Sequence, residues 1–71
     1  MFDHDAALRK VVDEAYRHRS GCRATILVPD RLGPAGGLEA ARQVLGYSDV
    51  ELVNVKSVDG AAYLTYEAPT R

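Results

Sequence analysis

The chain has 71 residues, with nine Lys and Arg against ten Asp and Glu and a formal charge of −1. That balance leaves no strong electrostatic footprint for nucleic acid, and so few residues make one small domain, 1–71, burying only about 60% of its unfolded surface. Cys22 is the only cysteine, so no disulfide forms within the chain and a reducing, cytoplasmic setting is expected.

No apolar run approaches the ~20 residues that a membrane-crossing helix needs. The opening Met1-Phe2-Asp3-His4-Asp5 is acidic where a signal peptide is basic, so export is not expected. Arginine far outnumbers lysine, which points to a GC-rich, bacterial genome. His4 between two aspartates suggests metal ligands only in outline, because no second His/Cys cluster completes a site. No metal and no cofactor is expected.

From Asp5 to Arg19, Leu8, Val11, Val12, Ala15 and Tyr16 recur at helical spacing and form one apolar stripe. Asp3 or Asp5 is placed to cap the start, and Gly21 to close the end. Asp13 with Arg17, and Glu14 with His18, are spaced i, i+4 with the acid leading. Arg17, His18, Arg19 and Arg23 make the one basic cluster. It reads as cations gathered at the negative end of a helix dipole rather than as an anion site.

Cys22 to Val28 alternates as a strand, with Cys22, Ala24, Ile26 and Val28 facing the helices and Arg23, Thr25 and Leu27 facing away. Cys22 itself reads as a plain buried thiol. Pro29, which has no N–H, is expected to end the pairing. The turn Asp30 to Gly37 is the most distinctive composition in the chain. It lacks the Lys-Ser/Thr of a Walker loop and the Gly-x-Gly-x-x-Gly of a dinucleotide site. Gly33-Pro34-Ala35-Gly36 matches Gly-x-x-Gly literally but carries no basic residue. Its structural role is to start a helix, with Pro34 in the first turn. Asp30 and Arg31 are candidate binding residues because they leave the end of a strand, a usual place for function in α/β folds, and Gly33, Gly36 and Tyr63 complete the candidate set.

A second helix runs from Pro34 or Leu38 to Leu45, with Leu38, Ala41, Val44 and Leu45 inward, Gly46 as its stop and Tyr47 folding back. Val50 to Val58 and Ala61 to Ala68 then read as two strands around Asp59-Gly60, a strong hairpin signal in which both turn positions take positive φ. A two-residue turn pairs Val58 with Ala61 and, counting outward, Val55 with Leu64 and Val53 with Tyr66 beneath the helices. The other face receives Lys56 with Tyr63, Asn54 with Thr65, and Leu52 with Glu67. Residues 69–71 are expected to form a flexible tail.

From Val28 to Lys56 the chain resembles the small PurS subunit family of formylglycinamidine ribonucleotide synthetase. The resemblance rests on Leu32-Gly33-Pro34-Ala35-Gly36, on Leu45-Gly46-Tyr47, and on Val50, Val53 and Lys56. Gly33 stands where that family has aspartate, its Gly-Lys pair is missing, and an extra helix precedes the first strand. The resemblance implies an accessory subunit without catalytic residues that bridges a synthetase and a glutaminase.

The expected fold is α+β with order α-β-α-β-β. It is a two-layer sandwich of the split β-α-β type, with two helices on one face of a three-stranded sheet. The expected function is a non-enzymatic protein-interaction module that pairs with itself and with a further protein. A homodimer would join first strands at Thr25, Ile26 and Leu27, which lack the charges and prolines that protect an edge. Two other classes remain: a small phosphorylated ligand at Asp30, Arg31 and Tyr63, and a single-stranded nucleic acid on Arg23, Lys56 and Tyr63 of the open sheet face.

Overall fold

The computed structural model describes residues 3–69. Among these, two helices and four strands follow in the order α1 (His4–Arg17), β1 (Arg19–Ser20), β2 (Arg23–Pro29), α2 (Gly33–Leu45), β3 (Glu51–Val58) and β4 (Ala61–Glu67). The class is α+β, with an open, wholly antiparallel sheet in the order β1-β2-β4-β3. The side chain of His4 and the tail residues Thr70 and Arg71 lie outside the described part.

The Asp3 carboxylate caps α1 by accepting from the N–H groups of Asp5 (3.0 Å) and Ala6 (3.2 Å), which have no partner within the helix. The helix stops at Arg17, earlier than its periodicity implies, and His18 rather than Gly21 is the cap residue. Gly21 has other work. With φ of +59°, it reverses the chain between β1 and β2, so Arg19 pairs with Ala24 and Ser20 with Arg23. This short hairpin adds the strand that makes the sheet four-stranded instead of three-stranded. It also leaves Cys22 exposed at its tip, not buried.

The core is almost wholly aliphatic. Val11, Val12 and Ala15 of α1, Ala40, Ala41, Val44 and Leu45 of α2, and Ala24, Ile26 and Val28 of β2 are buried together with Leu64, Tyr66 and Ala68. Small residues let the layers approach. An added Cβ at Gly37 would lie 2.8 Å from Leu64 and 2.9 Å from Val28, so α2 rests on the sheet through that glycine. Gly46, at φ +78°, ends α2 in the left-handed conformation as its sequence position implies.

β2 pairs with β4 along its whole length, and β3 lies on the far side of β4. The two strands joined through α2 are therefore parallel and straddle the last strand. The hairpin turn is two residues long, but only Gly60 has positive φ (+77°), and Asp59 does not. Glycine alone meets the left-handed requirement, and the Gly60 carbonyl accepts the Asp30 N–H at 3.1 Å, which ties the turn to the start of the α2 connection.

Register holds from Val58–Ala61 to Asn54–Thr65, and then slips. Val53 is an extra residue in a bulge, so Leu52 rather than Val53 faces Tyr66, and Glu51 rather than Leu52 faces Glu67. A further departure concerns what lies above this strand. α2 packs mainly on β2, α1 packs on α2 and β2, and every residue of β3 is exposed. The β3 half of the hairpin's inward side is not under the helices, while Leu64 and Tyr66 of β4 are buried in the core.

Candidate functional site

The uncovered strand creates a groove. Its floor is Ala62, Leu64 and Tyr66 of β4 with Val28 of β2, and one wall is Leu52 and Val55 of β3. The other wall is the turn into α2: Pro29, Asp30, Gly33 and Pro34. The hollow measures about 320 Å³ and its surface is mostly apolar. Leu52 and Val55 are 45% and 54% exposed although they stand beside buried Tyr66 and Leu64. The bulge at Val53 produces this wall. In an unbroken ladder Leu52 would turn to the opposite face, and the slip re-aims it beside Val55.

Burial pushes the Tyr66 phenol above its ordinary pKa, by desolvation of the charged form. Tyr66 is thus a neutral, apolar part of the floor at physiological pH. Among the described residues no group of three or more His, Cys, Asp or Glu is placed to hold a metal ion. The chemistry on offer in the groove is burial of apolar surface, with the Asp30 carboxylate at one end.

The candidate residues divide between faces. Asp30 and Gly33 line the groove, and Arg31 is exposed in the same turn. Gly36 is covered by the Leu32 side chain, which occupies the space where a Cβ would stand, so this glycine shapes packing. Tyr63 is directly opposite Lys56 and Leu27 on the other side of the sheet, so the fold does not bring it to the face lined by Asp30. Thr25 and Leu27 share that open face, and the Thr25 and Thr65 hydroxyls are 3.1 Å apart. Ile26 points the other way and is fully buried, so it offers a partner only its backbone.

Where Glu14 of α1 and its cap residue His18 meet Thr25, Leu27 and Tyr63 there is a second hollow, of about 340 Å³. α1 therefore reaches round the outer side of β2, and β1 pairs with that strand's first two residues. Both narrow the edge through which first strands were expected to join. The basic cluster is likewise engaged within the chain. Arg17 lies 3.7 Å and His18 3.2 Å from Glu14, while Arg19 donates to the carbonyl oxygens of Val44 (3.0 Å) and Gly21 (3.3 Å). Arg23 donates to Glu67 at 2.8 and 3.2 Å. The expected pairing of Arg17 with Asp13 gives way to Glu14 one turn back.

Sequence reasoning missed Leu52, Pro34 and Pro29 as lining residues. The available signal was apolar side chains on both faces of one strand: Leu52, Val53, Val55 and Val58. An edge strand with one covered face has no use for that pattern. No family model, no curated protein and no solved structure matches the chain.

Proposed function

We propose that the protein is a small interaction module, a two-layer α/β sandwich left incomplete over β3, which holds another polypeptide in the groove between α2 and that strand. The observation that carries this reading is the exposed apolar wall of Leu52 and Val55, continuous with the buried floor of Leu64 and Tyr66. Contiguous apolar surface of this kind on a small domain marks a contact site, since leaving it in water forgoes roughly 25 cal/mol per Å². A second copy and a different chain both fit the reading at this level.

A charge placed on the wall tests it. Tagged wild type and Val55→Asp are compared for the proteins they capture from the native host and for self-association by sedimentation. Val55 is exposed, so the variant keeps its fold, and its circular dichroism melt verifies this. The reading predicts at least one polypeptide, or the second copy, held by wild type and lost by Val55→Asp. Identical captures and identical sedimentation at micromolar concentration would refute it.

A further inference from the structure

Resting on that reading, we infer that the groove takes a basic, amphipathic α-helix from a different chain, laid beside α2 as the third helix of the layer. Spacing is the first reason. β3 stands two strand intervals from β2, about 10 Å, and packed helices lie 8–10 Å apart, so one helix fits over β4 and β3 beside α2. α2 sits mainly on β2, touches β4 where Gly37 meets Leu64, and leaves β3 uncovered.

The strand's own design excludes pairing with another strand. The Val53 bulge interrupts the ladder along β3, and Lys56 adds a charge midway, two devices that blunt an edge. The same bulge turns Leu52 into the groove. One irregularity thus closes the edge to a strand and widens the apolar wall for a helix.

A second copy does not supply that helix. The apolar stripes of α1 and α2 are spent in the core, and Tyr16 is the one large apolar side chain on either helix that is exposed. Charge names the partner's flanks. Glu51 and Glu67 pair with each other on the face away from the groove, where Arg23 engages Glu67, so the acids that matter here are the aspartates Asp30, Asp49 and Asp59. Asp30 lines the groove, Asp49 stands just before β3, and Asp59 stands just after it. Of the bases in residues 30–69, Arg31 adjoins Asp30, Arg42 donates to the Ser48 carbonyl at 2.9 Å, and Lys56 faces the opposite side of the sheet. A helix with Leu or Met at i, i+3, i+4 and i+7 and Lys or Arg beside the stripe complements this surface.

Synthetic peptides test the inference on the full chain. The first probe is a helical peptide of about 15 residues with a leucine stripe and lysine flanks. The second keeps the stripe with glutamate flanks, and the third is an alternating strand former. Fluorescence anisotropy and amide shift mapping should show the lysine peptide binding, weakening with salt, and shifting Leu52, Val55, Leu64 and Tyr66. Val55→Asp and, separately, Leu52→Asp should each weaken it by about tenfold or more, and the glutamate peptide should bind about tenfold less well. Equal binding of both helices, preference for the strand former, shifts centred on Tyr63 and Leu27, or no binding at millimolar peptide each overturn the inference. If wild type instead dimerises and Val55→Asp does not, the groove holds a second copy: the helix inference fails and the interaction reading stands. If nothing, peptide, copy or host protein, depends on Val55, both fail.

Discussion

Leu52 faces Tyr66 across the β3–β4 ladder, two residues beyond Asn54, which faces Thr65. The residue between, Val53, has no partner of its own. Deleting Val53 therefore removes the bulge without changing which residues pair, and Leu52 keeps its place in the groove wall. The variant should retain a cross-strand Leu52–Tyr66 nuclear Overhauser contact, with a melting temperature within about 5 °C of wild type. A wild-type contact between Val53 and Tyr66 in place of Leu52–Tyr66 would show an unbroken ladder instead.

The two adjacent glycines of α2 should differ sharply in tolerance. At Gly37 a methyl group meets Leu64 and Val28 of the sheet at 2.8 and 2.9 Å, and neither strand can move away without opening the core. Gly37→Ala should cost about 1–3 kcal/mol by overpacking, even after the helix-propensity gain. At Gly36 the obstacle is the half-buried Leu32 side chain, which can swing toward solvent. Gly36→Ala should change stability by about 1 kcal/mol or less. Urea unfolding of the two variants checks the order, and a less stable Gly36→Ala would contradict it.

Two arginines that look alike in the sequence have different worth. Arg19 reaches from β1 to the Val44 carbonyl at 3.0 Å, satisfying a group that the end of α2 leaves open. Arg23 pairs with Glu67 on the exposed face, where water screens the charge. Arg19→Ala should lower stability by about 1 kcal/mol and Arg23→Ala by less, in the range of about 0–1 kcal/mol typical of surface pairs. Chemical denaturation in low and high salt separates them, since only the Arg23 effect should fade as salt rises.

Tyr66 sets an alkaline limit. Its folded pKa is raised by burial, so the native chain keeps the phenolic proton after the unfolded chain has begun to lose it. The stabilising contribution is complete below the ordinary tyrosine value of about 10 and is lost as pH rises from there through the folded value. Comparing unfolding free energies at about pH 9 and about pH 11 should show a steeper loss for wild type than for Tyr66→Phe. Equal slopes would mean that the phenol is not desolvated.

Much of the fold was legible without coordinates, because local patterns decided it. The stripe Leu8–Val11–Val12–Ala15, the alternation Ala24–Ile26–Val28, the stop at Gly46 and the turn at Asp59-Gly60 each place an element by a rule of short range. The inner hairpin register followed as well, since a two-residue turn leaves one pairing that sorts apolar from polar. Asp30 and Gly33 were found as candidates because a turn leaving a strand end is local information too.

What surrounds each element was settled only by the tertiary structure. Nothing near Leu52 announces a bulge, because an extra residue is tolerated or refused by the strand opposite, some fifteen positions later. That Val55 stands in water, and that Tyr63 and Asp30 end on different faces, depends on where two helices come to rest. α2 packs mainly on β2, with Gly37 permitting close approach to Val28 and to Leu64 of β4, and α1 packs on α2 and β2, so β3 is left uncovered. The amino-acid pattern determined which side chains are apolar and, away from the Val53 bulge and the Cys22 tip, which face each one takes. The choice of which apolar face goes uncovered came from the packing of the whole chain, because burial is a property of neighbours distant in sequence.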